Sequence, residues 1–165
     1  MPNDEKKEIY TLVLGKDIIS FRPKINTSQV LTEVEVRGSN PQNPGKAIVG
    51  KAKAGSERTQ EGGRQTASQL AQKKTKTSKK VISNAIVGSV NQAKNRAKAV
   101  LNRASDTFIM GDVECVGIPK IKPGVCIKLE KMGERFSGKY YVTAATHKIG
   151  ENGYRTTFEV KRNAV

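Results

Sequence analysis

Apolar and polar residues alternate over much of the first 50 positions, as they do in half-buried strands. Residues 9–14 and 18–21 are short apolar runs rich in β-branched side chains. Over residues 30–37 alternate positions are apolar or Thr, while most of the others are charged, so one face is buried and the other faces water. A turn rich in Gly and Pro over 38–45 precedes residues 47–50, which start another short strand.

The last third of the chain repeats this pattern more strongly. Four strands are predicted over residues 107–117, 124–132, 138–149 and 153–162. The Asn152-Gly153 pair between the last two is typical of a tight β-hairpin turn. Because no helical segment separates these strands, the pattern favours antiparallel pairing.

The middle of the chain is different in kind. From about residue 51 to 80 the chain is rich in Ser, Thr, Gln, Gly and Lys. Such a composition cannot bury enough apolar surface to fold alone. We therefore predict that this segment is a long polar loop, which we call the excursion. Ser83 and Asn84 can cap a helix over about 84–103. Its apolar positions recur every three or four residues on one stripe: Ile86, Val90, Ala93, Ala97, Val100 and Ala104.

These patterns predict a mainly β chain with one long α-helix, arranged as an antiparallel β-barrel or sandwich. With 165 residues, we expect a single domain over 1–165, interrupted by the excursion and the helix. Aromatic residues are 5% of the chain and Trp is absent, so the core is built mostly from Val, Ile and Ala. We expect Tyr140, Val142, Tyr154 and Phe158 to fill the barrel, and Ile86, Val90 and Val100 to seat the helix.

The net charge of +15 is concentrated in the middle of the sequence. Residues 46–103 contain 14 basic and two acidic residues, whereas residues 1–45 are neutral. Such a segment could contact phosphates, although it has no aromatic residue for base stacking. The alternative is a solvated Lys-rich loop, or a surface that meets an acidic protein. The candidate contacts are Arg64, Lys73, Lys74, Lys76, Lys79 and Lys80.

No constellation of catalytic residues emerges from the sequence. His147 is the single histidine, and no nucleophile or carboxylate is paired with it by any motif, so a structural role is favoured. Cys115 and Cys126 lack metal-ligand spacing and are expected to be small buried hydrophobes. Asp112 and Glu114 share one strand face, a common solvated pattern. We therefore predict a protein that is not an enzyme and holds no cofactor or metal.

Neither a transmembrane segment nor a secretory leader is evident. No apolar run approaches the roughly 20 residues needed to cross a bilayer, and the polar N-terminus has no hydrophobic core segment. We expect a soluble protein made in the cytoplasm.

Several motifs occur in a characteristic order in the C-terminal half of the chain. They are Gly117-Ile118-Pro119, Lys122-Pro123-Gly124, the run 136–142 (FSGKYYV), His147 and Gly153-Tyr154. Their order resembles that of the late control D family of phage tail proteins, the baseplate hub group that includes the hub part of VgrG spike proteins. Upstream, residues 19–41 are similar to the strand and turn that enter the same domain in this family. The likeness covers roughly residues 10–50 and 83–162.

The resemblance implies a structural function in a phage tail or related contractile injection particle. Hub proteins of this group resemble two tail-tube-type β-barrels in one chain, and three copies form a ring between the six-fold tail tube and the three-fold spike. This sequence matches the second, C-terminal barrel. The implied partners are copies of itself, as a trimer or hexamer, together with tube and spike proteins, and the implied location is the baseplate of the particle. Two further hypotheses are a nucleic-acid-binding protein that uses residues 46–103, and a particle-borne peptidoglycan hydrolase, which we rank last.

Overall fold

The computed structural model describes residues 8–40, 43–58, 65–74, 78–151 and 153–165. Within these ranges the chain forms nine strands and two helices, so the mainly β fold is confirmed, whereas the expectation of a single long helix is wrong. In chain order they are β1 (Glu8–Val13), β2 (Ile18–Ile25), β3 (Glu33–Asn40), β4 (Asn43–Lys53), α1 (Ala67–Lys74), β5 (Lys79–Ile86), α2 (Val90–Ser105), β6 (Ile109–Val116), β7 (Cys126–Glu130), β8 (Gly138–Gly150) and β9 (Gly153–Arg162).

The chain divides into two compact units. Unit 1 contains the strands of the two ends of the sequence, and unit 2 contains those between them, with both helices. Unit 1 has a six-stranded sheet in the order β1-β7-β8-β9-β6-β2. Its neighbours are antiparallel except for β1 and β7, which are parallel. The four strands predicted in the last third are confirmed as β6 to β9.

The sheet of unit 1 curls. Its two edge strands, β1 and β2, are consecutive in the chain, and a flat six-stranded sheet would hold its edges about 24 Å apart. The five residue steps from Val13 to Ile18 can span at most about 18 Å, and a turn with an Asp17 N to Val13 O hydrogen bond of 3.0 Å shortens them further. A single bridge, Leu14 to Ile18, joins the two edges. The sheet is therefore a curled half-barrel rather than a clear example of the β-barrel or sandwich that the sequence predicted.

Strand β2 continues to Ile25, past Pro23, where the sequence pattern predicted that it would stop. The proline pairs in register with Gly111 of β6. Since β2 is an edge strand, its outer side needs no hydrogen-bond donor, and Pro is tolerated there.

The core of unit 1 lies on one face of the curled sheet. Tyr140, Val142 and Phe158, all expected in the core, are buried. Tyr154 is half-buried and lies toward the hairpin tip, because the far half of the last two strands extends beyond the packed region. The core also contains buried Leu12, Ile109, Val113, Ile127 and Leu129.

Unit 2 packs α2 on a three-stranded sheet of order β4-β3-β5, in which β3 and β5 are parallel. A methyl group on Gly50 of β4 would lie 2.4 Å from the backbone of Ala93, so the glycine allows the helix to approach the sheet closely. Ala93, Ala97 and Leu101 are the buried residues of α2 that face Val34 and Val36. The small side chains of the helix thus sit over the β-branched residues of the sheet.

The predicted start of the helix is wrong. Residues 79–86 form β5, and α2 begins after Ser89, whose hydroxyl accepts a hydrogen bond from Gln92 N at 3.2 Å. Ile86 is 78% exposed on β5, and Val90 is 47% exposed at the first turn, so neither seats the helix. Val100 is half-buried and packs against the core, as expected.

The excursion predicted over 51–80 is partly ordered. Strand β4 runs to Lys53, α1 covers Ala67–Lys74, and β5 begins at Lys79. Strand β5 satisfies its backbone hydrogen bonds by pairing with β3, and no local pattern in the sequence of β5 indicated this partner. Among the described residues, no helix is long and apolar enough to cross a membrane.

Candidate assembly and anion-contact surfaces

The β8–β9 hairpin of unit 1 extends beyond its core. Pairing runs from Tyr141–Lys161 to Gly150–Gly153 with one register shift between Val142 and Ala144, and Gly153 adopts a positive φ of 79° near the turn. Beyond Val142 every residue of β8 is exposed except half-buried Ala145. Ile149 is 86% exposed near the tip. It is the most exposed large apolar side chain among the residues that the structure describes.

His147 anchors this hairpin. Its Nε2 lies 2.9 Å from the carbonyl oxygen of Ile121, which can only accept, so Nε2 carries the proton. Nδ1 is then the acceptor, and its lone pair is shared by the hydroxyls of Thr156 at 3.0 Å and Tyr154 at 2.9 Å. Both ring nitrogens are therefore occupied by neighbouring groups, which supports the structural role predicted for this residue.

Tyr154 and Gly117 complete the anchor. A methyl group on Gly117 would lie 2.1 Å from carbons of the Tyr154 ring, so the ring packs directly on the glycine backbone. Gly117 N also donates to Tyr154 O at 2.9 Å, and Ile118 N donates to Thr156 Oγ1 at 3.1 Å. The fold thus brings together the separate motifs at 117–119, 147 and 153–154 that carry the family resemblance.

The motif at 136–142 forms a second contact cluster. Tyr140 donates its hydroxyl to Phe136 O at 2.8 Å, and both rings pack edge-on against Phe21. The buried Arg162 places its guanidinium 5.4 Å from the centroid of the Tyr140 ring and donates to Ser137 O at 2.8 Å. These contacts hold the base of the hairpin against the core.

The other chemical candidates of unit 1 have structural partners. Asp112 pairs with Lys24 at 3.7 Å, and Glu114 pairs with Arg155 at 3.4 Å, as expected of solvated strand charges. Cys115 and Cys126 are buried free thiols. Burial, with smaller contributions from nearby carboxylates, raises the pKa of Cys115 to about 11, so the thiol is protonated and unreactive at neutral pH.

In unit 2, a charged cluster covers the face of the sheet opposite α2. Glu35 pairs with Lys79 at 2.5 Å, Arg37 at 2.6 Å and Lys51 at 3.5 Å, although its side chain is only 3% exposed. Lys79 also lies 3.4 Å from Glu33. The hydrogen bonds from Lys79 and then Arg37 lower the pKa of Glu35 to about 2, and Glu35 raises that of Lys79. Lys51 and Lys79 belong to the basic segment 46–103 of the sequence, but in the folded chain both are paired with a carboxylate.

The predicted contact residues therefore have different environments. Lys79 is in the charged cluster and Lys80 is exposed on the same strand. Lys73 and Lys74 are exposed in the last turn of α1. Arg64 and Lys76 lie outside the described residues. The suggestion that these six side chains contact phosphates or a partner stays a prediction.

Sequence reasoning did not single out the outer surface of α2. Lys94, Arg96, Lys98 and Arg103 are all exposed, and none forms an ion pair with another described residue. The helix itself contains no Asp or Glu. The absence of acidic residues between 90 and 105 is a signal that could have identified this surface.

A buried carboxylate positions both helices of unit 2. Glu57 accepts hydrogen bonds from the hydroxyls of Ser68 in α1 and, at 3.1 Å, Ser105 in α2. Its second oxygen accepts from Gly55 N at 2.6 Å. Because hydroxyl and amide donors satisfy the carboxylate, it can remain buried without a cationic partner.

The comparisons with known proteins give a family and a fold. The sequence matches the family model of the Alg8 N-terminal domain over residues 1–151, which is not a baseplate hub model. No curated protein matched the sequence. The expected assignment to the late control D family is thus not established.

Three solved structures have a similar fold. The 43 kDa tail protein of prophage MuSo2 from Shewanella oneidensis has a TM-score of 0.66 at 14% identity, over 93% of this chain and 43% of that one. The tail protein from Neisseria meningitidis MC58 also has a TM-score of 0.66, at 11% identity, over 94% and 44%. A chain of the native gene transfer agent virion has a TM-score of 0.53 at 11% identity, over 94% and 32%. This chain therefore spans less than half the length of each of these proteins.

Proposed function

The chain belongs to the family of the Alg8 N-terminal domain, and from its tail-protein fold we propose that it is a structural component of a phage tail or a related contractile injection particle. It acts without catalysis, as a hub or tube-type unit that joins the tail tube to the spike. Its partners are further copies of itself, as a trimer or hexamer, and the neighbouring tube and spike proteins. It is made in the bacterial cytoplasm and resides in the baseplate of the particle.

The observation that carries the proposal is the fold likeness to two tail proteins over 93–94% of the chain. A chain of a gene transfer agent virion has a similar fold over 94% of the chain, so the likeness is not confined to one part of it. The described residues also present the surfaces that assembly needs. Strands β1 and β2 are the edge strands of the six-stranded sheet, and the β8–β9 hairpin carries Ile149 beyond the core. Assembly would cover these edges, which otherwise favour aggregation.

The test is the mass in solution, measured by light scattering after size exclusion at 50 mM and 1 M salt. We expect a trimer or hexamer that survives high salt, because edge pairing and apolar contacts are not screened by ions. Mixing with the tube and spike proteins of the same particle should give a larger complex. A monomer at both salt concentrations that binds neither protein would refute the proposal.

A matched pair of variants tests the hairpin. Ile149→Lys places a charge on the projecting tip, and Ile86→Lys makes the same change at another exposed isoleucine, in unit 2. We expect Ile149→Lys to lower the assembled mass while the melting temperature is unchanged, and Ile86→Lys to leave the mass unchanged. Equal losses in the two variants would mean that added charge, rather than the hairpin, weakens assembly.

A further inference from the structure

We propose that α2 binds the phosphate backbone of double-stranded nucleic acid through its solvent face, without reading sequence. This surface, the α2 basic face, consists of Asn91, Lys94, Asn95, Arg96, Lys98 and Arg103. The inference does not depend on the proposed tail function. It also replaces the broad suggestion of a basic segment over 46–103 with one helix.

The cations of this face are available to an external anion. In the sheet of unit 2, Arg37, Lys51 and Lys79 are all paired with Glu35, so their charge is partly offset within the fold. On α2, no described acidic residue pairs with any of the four cations, and the nearest acidic residue in sequence, Asp106, follows the helix end. Four unpaired positive charges on one 16-residue helix thus attract polyanions.

The helix arranges these cations in two rows. At 100° per residue, Lys94 and Lys98 lie along one flank, whereas Arg96 and Arg103 lie along the other. The exposed amides of Asn91 and Asn95 lie on the ridge between the rows. A duplex groove also presents two lines of negative charge, and the major groove, about 12 Å wide, admits an α-helix. Each row therefore faces one phosphate strand, and the amides between them add hydrogen-bond donors.

Packing holds the rows in place. The opposite side of α2 is buried through Ala93, Ala97 and Leu101, and the Ser89 cap fixes its first turn. The helix is about 24 Å long, and Lys94 and Lys98 are about 6 Å apart along its axis. The cations therefore lie on a rigid helix, and binding costs little backbone conformational entropy.

The composition of the face favours nucleic acid over an acidic protein. Protein interfaces centre on aromatic or large aliphatic anchors. The α2 basic face has no such anchor, because its six residues are all Asn, Lys or Arg. Phosphate contacts need only charge and hydrogen-bond donors. Single strands are less suitable, because their binding uses aromatic stacking, and residues 46–103 contain no Phe, Tyr or Trp.

The experiment is fluorescence anisotropy of a labelled 20-base-pair duplex titrated with the full chain between 50 and 200 mM salt. Each lost phosphate contact reduces the slope of log K against log salt by about 0.9. We expect the quadruple variant Lys94→Gln, Arg96→Gln, Lys98→Gln, Arg103→Gln to lose about 3.6 from the slope. Over this range, the affinity of the native chain should then fall about 100-fold more than that of the variant. Each two-residue row variant should lose about half as much slope.

Two controls separate the face from net charge. The first changes four exposed cations of unit 1 to Gln: Lys16, Lys120, Lys122 and Arg135. The second replaces the two arginines of α2 with lysine, which keeps the charge. We expect both to keep the native slope, and a duplex of scrambled sequence to bind equally well.

The outcomes that would overturn the proposal are distinct. They are an unchanged slope in the quadruple variant, an equal loss in the unit 1 control, or no binding by the native chain at 50 mM salt. Displacement of the duplex by polyglutamate at equal charge concentration would assign the face to an acidic protein instead. Light scattering on the same samples reports assembly separately, so failure of DNA binding is distinguishable from failure of the tail function.

Discussion

Replacing Gly50 with Ala tests the packing on which unit 2 depends. The glycine lies on β4 opposite Val36 of β3, and its Cα faces the backbone of α2. A methyl group there would lie 2.4 Å from the carbonyl carbon of Ala93 and 2.4 Å from the amide nitrogen of Lys94. Both are backbone atoms, so no side-chain rotation relieves the overlap.

The magnitude follows from the displacement required. Ordinary van der Waals contact begins near 3.4 Å, so the helix must move by about 1 Å from the sheet. A gap of that size loses about a quarter to a half of the dispersion energy of each contact it opens, including those of Ala97 and Leu101. Overpacking of a core usually destabilises by about 1–3 kcal/mol, and the reduced entropy of the unfolded chain offsets less than about 1 kcal/mol. We expect Gly50→Ala to lower the free energy of unfolding by about 1–2 kcal/mol.

The control is Gly45→Ala on the same strand. A methyl group at Gly45 would have no neighbour within 4 Å, so this variant should match or slightly exceed the native stability. Urea unfolding followed by circular dichroism measures both. If the two variants unfold at the same urea concentration, the helix does not lie as closely on β4 as the structure requires.

Three further predictions concern the core, the charged cluster and the helix cap. Phe158→Ala removes a ring that is 1% exposed and should lower the free energy of unfolding by about 3–5 kcal/mol; an unchanged urea midpoint would contradict its place in the core. Glu35 has its pKa lowered from 4.5 to about 2, so its stabilisation is complete above pH 4.5 and is lost as the pH falls toward 2. The difference in melting temperature between the native chain and Glu35→Gln should therefore shrink over that window, and a constant difference would show that the ion pairs do not contribute. Ser89→Ala should lower the free energy of unfolding by about 1 kcal/mol in thermal denaturation, whereas Ser83→Ala, at the wrongly predicted cap, should leave it nearly unchanged.

The strands of the last third could be predicted because their signals are local. Alternating side chains, flanking glycines and the Asn152-Gly153 turn all lie within a few residues of the elements they specify. The curl of the six-stranded sheet could not be predicted in this way. It depends on β1 and β2 lying at opposite edges, and no short-range pattern encodes that order.

The error at the start of α2 has a specific physical cause. Ile86 fits the apolar stripe of a helix, but this segment also contains β-branched residues that are favourable in a strand. Parallel pairing with β3 makes it a strand, because tertiary contacts override the local helix preference. The correct start was signalled by Ser89 and Gln92, which satisfy the capping-box pattern. In the structure, Ser89 accepts from Gln92 N, and Gln92 Oε1 accepts from Gly88 N at 2.5 Å. The cap was therefore more informative than the apolar periodicity.

The anion-contact surface shows why a positive run in a sequence does not by itself locate a binding face. Lys79 belongs to the most basic part of the chain, yet parallel pairing of β5 with β3 places it beside Glu33 and Glu35, more than 40 positions earlier. The cations of α2 are spaced more widely in sequence and look less concentrated. They remain unpaired among the described residues because α2 itself contains no Asp or Glu and no acidic side chain of another described element lies within ion-pair distance of them. Long-range pairing thus neutralises one set of charges and leaves the other exposed, which is why a binding face has to be sought among the residual charges of the folded chain.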